Sequence, residues 1–219
     1  MLNMRHFKRI LDFYNYLYSK YGPQNWWPCE GEKYGNDEIA IGAILTQNTS
    51  WKNVEKAIQR LRERGLLSLK SISCADLETI KEAIKSSGFY NQKAERLKLF
   101  AEYIICKHKS LRNFFEQNKS VLDLRQELLS IKGIGKETAD SILLYAGFKP
   151  IFVVDKYTLR LFKLYGIIDD EKFDYEAIRL LVESEIKDVN MLQEFHALIV
   201  REGKNLNKKF ANQKQTNFG

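Results

Sequence analysis

The chain has 219 residues, and its 44% apolar content is enough to bury the core of one large domain or two small ones. A formal net charge of +7 points toward a polyanionic partner such as nucleic acid, although charge alone does not identify one. Three scattered cysteines, Cys29, Cys74 and Cys106, argue against a disulfide framework, and no apolar run is long enough to span a membrane, so we expect a cytoplasmic protein without membrane contact.

Helices are predicted along nearly the whole chain, because apolar residues recur three and four positions apart. In chain order this spacing is found at Val54, Ile58 and Leu61, at Leu97, Phe100 and Ile104, and at Ile178, Leu181 and Val182. Breaks at Gly22-Pro23, Gly31–Gly35, Gly65, Gly88, Gly133–Gly135, Gly147–Pro150 and Gly166 divide the chain into about ten helices. The one strand-like run, Ile151–Val154, follows Pro150 and is interpreted as an extended connector. The predicted fold class is all-α.

A glycine turn joins two of these helices within Leu128–Asp140. Two glycines around one aliphatic residue permit a tight connection that points backbone N–H groups outward, and the next helix adds its own unpaired N–H groups and positive dipole end. Such a turn predicts a seat for DNA phosphates that works independently of base sequence. The residues assigned to it are Lys132, Gly133, Ile134, Gly135, Lys136 and Thr138. A plain helix–helix turn is the alternative interpretation.

An aspartate opens the helix that follows the connector. Asp155 precedes Lys-Tyr-Thr-Leu, which suits a helix N-cap. The glycine turn, the Gly147–Pro150 loop and this aspartate together resemble the endonuclease III family of helix-hairpin-helix glycosylases. The resemblance implies two helical domains with a cleft between them that holds the base pocket, a helical barrel of residues 36–150 and a second domain of residues 1–35 plus 151–219.

The resemblance makes Asp155 the candidate catalytic residue, facing the flipped nucleotide as well as capping its helix. Hydrolysis of an N-glycosidic bond passes through an oxocarbenium-like sugar, so an ionised carboxylate near C1′ would stabilise that charge and orient the attacking water. Further resemblance lies in Ile41–Thr49 and Ser87–Ala94, so that the match covers most of residues 36–203. A glutamine like Gln47 fills the gap left by the extruded nucleotide in the family. Its alternative role is a surface polar group at a helix end.

The position of Glu137 departs from the pattern of the family members that also cut the DNA strand. Those enzymes carry a lysine there, which attacks the sugar C1′ and forms a Schiff base, and a carboxylate cannot do so. Lys136 is one residue away and is rotated by about 100° around the helix, so it points elsewhere. A monofunctional glycosylase without lyase activity is therefore expected. Glu137 is also compatible with a plain first-turn acid favoured by the helix dipole.

The C-terminal region departs from the relatives that close it with four cysteines around an iron–sulfur cluster. No cysteine follows Cys106, so no cluster, no other cofactor and no metal site are expected. His196 in the corresponding helix is interpreted as a packed or hydrogen-bonding residue.

All three tryptophans lie near segments that flank the base pocket of the family. Indole faces attract cations by about 0.5–2 kcal/mol, and an alkylated purine such as 3-methyladenine carries a positive charge that normal purines lack. The arrangement resembles the cluster-free bacterial 3-methyladenine glycosylases. It implies a base pocket of Trp26, Trp27, Pro28, Trp51, Glu137 and Lys204. Core packing is the alternative for each tryptophan, and a solvated tail position is the alternative for Lys204.

The sequence thus predicts a glycosylase that flips out and hydrolytically excises alkylated purines. Its expected partner is double-stranded DNA containing damaged bases, and we expect a monomer associated with a bacterial nucleoid. The alternatives are a related glycosylase for oxidised or mismatched pyrimidines and a non-catalytic DNA-binding module that uses the hairpin.

Overall fold

The structure is a computed structural model that describes residues 6–33, 35–169 and 174–216, with side chains as far as residue 207 in the last helix. Within these ranges the chain forms twelve α-helices and no strand, which confirms the predicted all-α class. They are α1 (Ile10–Tyr21), α2 (Asp37–Leu45), α3 (Trp51–Glu63), α4 (Leu69–Cys74), α5 (Leu77–Ile84), α6 (Tyr90–His108), α7 (Leu111–Phe115), α8 (Val121–Leu129), α9 (Lys136–Ser141), α10 (Lys156–Leu164), α11 (Tyr175–Glu185) and α12 (Val189–Thr216). None of the helices described is long and apolar enough to cross a membrane.

The chain divides into two compact units. One comprises Trp27–Lys149 and contains α2 to α9; the other comprises Met1–Trp26 with Pro150–Gly219 and contains α1 and α10 to α12. The predicted domain bounds, residues 36–150 and residues 1–35 plus 151–219, stay a prediction.

Helix α2 is the centre of the larger unit. Asn36 caps it by accepting a hydrogen bond from Glu38 N, and every residue from Ile39 to Leu45 is buried. Because α2 has no polar residue after Glu38, it is covered on all sides, and it contacts α3, α6, α9 and the π-helical turn Ile142–Ala146. Gly42 is required by packing, since a Cβ there would lie 2.9 Å from Cζ2 of Trp27.

The ammonium group of Lys93 hydrogen-bonds to a backbone carbonyl oxygen at the carboxyl end of α2. Lys93 is buried, and its Nζ donates to the carbonyl oxygens of Leu45 at 2.8 Å and Ser87 at 2.7 Å. Burial and, to a smaller extent, the nearby guanidinium of Arg96 together lower the pKa of Lys93 to about 8. One side chain thus joins the segment that leads into Gln47 to the turn that precedes α6.

The smaller unit has an aromatic core, in which Phe13, Phe162 and Phe195 meet edge to face or stacked. The connector Ile151–Val154 has neither helix nor strand, as expected, and all four of its side chains are buried against this unit. Its burial was not predicted.

A buried carboxylate links three helices of the smaller unit. Glu202 on α12 accepts hydrogen bonds from Lys20 and Tyr21 on α1, and from Tyr165 at the end of α10. Burial acts to raise the pKa of Glu202, but these three donors outweigh it, so that the pKa lies below its usual value. The last helix is therefore held by a polar network as well as by apolar packing.

Candidate functional site

Asp155 is the N-cap of α10, as its sequence context indicated. Its Oδ1 accepts hydrogen bonds from the backbone N of Thr158 at 2.7 Å and from its Oγ1 at 2.9 Å. The residue is only 8% exposed. The cap occupies one carboxylate oxygen and fixes the rotamer, so Oδ2 has a defined direction in which it can act on another group.

Oδ2 of Asp155 faces His196 on α12. The His196 Nε2 lies 3.8 Å from Oδ2, which is longer than a hydrogen bond. Burial lowers the pKa of His196, while the charge of Asp155 acts in the opposite direction. The imidazole therefore favours the neutral form.

Trp26 and Lys204 lie in the same unit and extend this cluster. The Trp26 ring stacks on His196, with centroids 5.8 Å apart and an interplanar angle of 27°. The Lys204 Nζ is 5.9 Å from the centroid of the Trp26 ring, within the range of a cation–π contact. Three residues predicted for the site, Asp155, Trp26 and Lys204, are thus linked through His196, which was interpreted as a packed or hydrogen-bonding residue.

Trp27 and Trp51 pack together in the larger unit. Trp27 is 5% exposed, and its ring meets Trp51 edge to face, with centroids 5.0 Å apart at 88°. Trp51 is half-buried, while Pro28, the third pocket residue assigned from this region, is exposed. Trp27 therefore takes the core position that was its alternative, and Trp51 presents part of its ring to the surface.

Gln47 is bound to the glycine turn in this structure. Its Nε2 donates to Thr138 Oγ1 at 2.9 Å and to the Gly133 carbonyl oxygen at 3.3 Å. Its Oε1 accepts a hydrogen bond from Arg96 Nη1. The amide thus holds the loop after α2 against the hairpin, and its Nε2 would have to leave Thr138 and Gly133 before it could pair with a base.

The hairpin has a buried interior and an exposed tip. Ile131 and Ile134 are buried, whereas Lys132, Gly135 and Lys136 are exposed. A buried ion pair joins its two helices, because Arg125 Nε and Nη2 contact the Asp140 oxygens at 2.6 and 3.1 Å. Helix α9 begins after Gly135, which has no side chain to cap it, and the positive end of the helix dipole lies at this exposed tip. A positive dipole end at an exposed tip suits a phosphate.

Glu137 lies in the first turn of α9 and is exposed, next to the exposed Lys136. This position fits the first-turn acid as well as the residue that replaces a lysine nucleophile. The two interpretations are not exclusive.

Phe89 is a surface residue for which the sequence predicted no role. It is 68% exposed and adopts a left-handed conformation with φ of +48° immediately before α6. A bulky residue in that conformation is strained, which is common at functional positions. Lys93 holds the turn before Phe89 to the segment before Gln47. The sequence feature that could have identified Phe89 as a candidate is an aromatic residue directly after the turn glycine Gly88.

The cysteines do not fit an iron–sulfur cluster. Cys29 is half-buried, and Cys74 and Cys106 are exposed on two different helices, α4 and α6. Three thiols cannot supply the four thiolates that such a cluster takes. No group of three His, Cys, Asp or Glu side chains in the described ranges is placed to hold a metal ion.

Comparison with known proteins gives consistent matches. Residues 41–187 match the family described as HhH-GPD superfamily base excision DNA repair protein. A candidate DNA repair glycosylase of Methanocaldococcus jannaschii is 47% identical over 94% of this chain and 91% of its own length. The crystal structure of the H. pylori 3-methyladenine DNA glycosylase bound to 1,N6-ethenoadenine superposes with a TM-score of 0.77 at 32% identity, over 89% of this chain and 96% of that one.

A complex of endonuclease III with DNA shares the fold, with a TM-score of 0.69 at 20% identity over 87% of this chain and 82% of that one. The family match includes the hairpin, Gln47 and Asp155, and the match to the M. jannaschii protein spans both units. The chain therefore belongs to the HhH-GPD superfamily of base excision DNA repair proteins and is a DNA glycosylase.

Proposed function

We propose that this glycosylase hydrolytically excises alkylated purines of the 3-methyladenine type from double-stranded DNA, acting as a monomer and without cutting the strand. The observation that carries the proposal is the cluster in which the capped carboxylate of Asp155, the neutral His196 and the Trp26 ring lie side by side. In this cluster Asp155 Oδ2 faces His196, His196 stacks on Trp26, and the Trp26 ring faces the ammonium of Lys204.

Asp155 is assigned the catalytic role. Its Oδ1 is held by Thr158, so Oδ2 is the oxygen that acts on the sugar. As the glycosidic bond breaks, positive charge develops at C1′, and a fixed carboxylate stabilises it and orients the attacking water. A cationic base is already a good leaving group, so it requires no strong general acid.

Trp26 is assigned the recognition of the cationic base. An indole face attracts a positive charge, and in this structure the Trp26 ring has an ammonium within cation–π range. A neutral, undamaged purine gains less from the same ring. The H. pylori glycosylase, whose structure contains a modified adenine, is 32% identical to this chain, which supports an alkylpurine substrate here.

The assignment as monofunctional rests on Glu137. Strand cleavage by this chemistry needs an amine that attacks C1′, and the exposed first-turn residue at the corresponding position is a carboxylate. Neither Glu137 nor Asp155 can form an imine.

The test is a panel of duplexes that carry one defined lesion each, assayed for base release with and without alkali. The panel contains 3-methyladenine, 7-methylguanine, hypoxanthine, thymine glycol and a G·T mismatch. We expect release of the cationic purines first, with strand breaks only after alkali. Preferred release of thymine glycol or mismatched thymine would instead make the enzyme a pyrimidine glycosylase, and release of no base would leave a DNA-binding module.

A further inference from the structure

Arg96 on α6 lies across the glycine turn of the hairpin. Gly133 has a φ of +91°, and a Cβ at this position would overlap the Cγ and Cδ atoms of Arg96. The absence of a side chain at Gly133 therefore serves two purposes: it permits the left-handed turn and makes room for the stem of Arg96. The guanidinium is thereby placed beside the tip that is assigned to a DNA phosphate.

The charge of Arg96 is not balanced by a carboxylate in the described part of the chain. Its one hydrogen bond goes to a neutral acceptor, Gln47 Oε1, and none of its nitrogens lies within 4.0 Å of a described Asp or Glu oxygen. Arg62, Arg112 and Arg125 of the same unit each pair with a carboxylate. A half-buried guanidinium with several donors left over gains from an anion that fits its planar fork.

We propose that Arg96 is a positioning residue that binds a DNA phosphate at the hairpin and holds the amide of Gln47 at the same time. One nitrogen of the guanidinium bonds Gln47 Oε1, and the remaining N–H groups are directed to the phosphate that the hairpin binds. The orientation of Gln47 then depends on engagement of the DNA backbone. The inference rests on the proposed placement of Gln47 and the hairpin at DNA, and it does not depend on which base is excised.

The first test measures how binding of an undamaged duplex depends on salt. Arg96→Met keeps the aliphatic stem over Gly133 and removes the charge, while Arg96→Lys keeps the charge. Arg64→Met is the matched control, because it removes the same charge from a guanidinium that is already paired with Glu82 at 3.2 Å. We expect the slope of log K against log salt to fall by about one for Arg96→Met and to stay unchanged for Arg96→Lys and Arg64→Met.

If Arg96 had a purely structural role, Arg96→Met would lower the melting temperature but would not change the slope of log K against log salt. An unchanged slope in Arg96→Met, or an equal fall in Arg64→Met, overturns the phosphate contact.

The second test measures the coupling to Gln47 in a double-mutant cycle. The readout is the preference for a duplex with one tetrahydrofuran abasic analogue over an undamaged duplex, since Gln47 is assigned to fill such a gap. Gln47→Ala and Arg96→Met should each reduce this preference several-fold, and the double variant should lose no more than Gln47→Ala alone. Additive losses overturn the coupling. Neither test needs catalysis, so a failure of the proposed excision activity is recognised separately in the lesion panel.

Discussion

The two carboxylate oxygens of Asp155 have different roles in the proposal. Oδ1 caps α10, and Oδ2 is the oxygen assigned to the reaction. Asparagine is as good an N-cap as aspartate, so Asp155→Asn should retain the helix and remove only the charge. We expect excision to fall below detection while duplex binding stays within a few-fold, measured by single-turnover base release and by titration of labelled duplex.

The control for Asp155→Asn is Asp155→Ala, which also loses the cap and should cost about 0.5–2 kcal/mol of unfolding free energy. If Asp155→Asn retains near-normal turnover, the catalytic assignment is wrong.

The two tryptophans of the larger unit allow packing to be separated from recognition. Trp27 is buried on Gly42, so Trp27→Ala should lower stability by about 3–5 kcal/mol. Trp51 is half-buried and is proposed as a stacking face, so Trp51→Ala should weaken transition-state binding of cationic 3-methyladenine by about 1–3 kcal/mol. The measurements are thermal unfolding and kcat/KM per folded molecule. Full activity in folded Trp51→Ala would assign both rings to the core.

The residues that the sequence could locate are those set by local spacing. Asp155 follows a recognisable turn and connector and also matches an N-cap, so two independent local rules select it. His196 and Arg96 acquire their places through contacts with residues far away in the chain, namely Asp155 for the first and Gly133 for the second. No local pattern marks such partners, and therefore a lone histidine and a helical arginine carried no signal.

At the level of elements, the two glycines of the hairpin turn have different tasks. Gly133 has positive φ and is covered by Arg96, whereas Gly135 has a φ of −91° and a methyl group added there would meet nothing within 4 Å. Gly133→Ala should therefore lower both the melting temperature and duplex affinity. Gly135→Ala should fold normally, so that any loss of affinity reports a direct contact of the tip with phosphate. Equal melting temperatures for the two variants would contradict this division.

Glu127 on α8 accepts hydrogen bonds from several side chains. Burial acts to raise the pKa of Glu127, but hydrogen bonds from Lys107, Lys119, His108 and Tyr103 outweigh it and lower the pKa to about 2. Its stabilising effect is therefore complete above the unfolded pKa of about 4.3 and is lost as the pH falls toward 2. The difference in unfolding free energy between the native protein and Glu127→Gln should shrink as the pH falls below 4. A constant difference down to pH 2 would contradict the assignment.

Helix boundaries were predictable where glycine ends a helix. Gly22, Gly65, Gly88 and Gly166 all have positive φ and lie at or just beyond helix ends. The starts of α5, α7 and α8 have no glycine beside them, because these helices begin at Asp76, Ser110 and Ser120, whose side chains accept hydrogen bonds from the backbone of the new helix. The count of about ten helices therefore fell short of the twelve in the described ranges.

At the level of the whole molecule, the residues assigned to catalysis and those assigned to DNA binding lie in different units. Asp155, His196 and Trp26 belong to the unit of α1 and α10 to α12, while the hairpin, Gln47 and Glu137 belong to the unit of α2 to α9. The residues proposed for hydrolysis and those proposed for duplex binding thus belong to different units. The intact chain is therefore the material for every assay of excision.

The product of the intact enzyme should be an unbroken strand with an abasic site. Borohydride traps an enzyme on DNA only when an amine has formed an imine with the sugar C1′, and the position of that amine in strand-cutting relatives is Glu137 here. Lys132, Lys136 and Lys156 are exposed, and an abasic aldehyde reacts slowly with any nearby amine, so rates must decide. Base release should exceed strand nicking by orders of magnitude, and Glu137→Lys should increase trapping if the register is correct. Efficient trapping of the unmutated protein, abolished by replacing one of these three lysines, would show that the enzyme is a lyase after all.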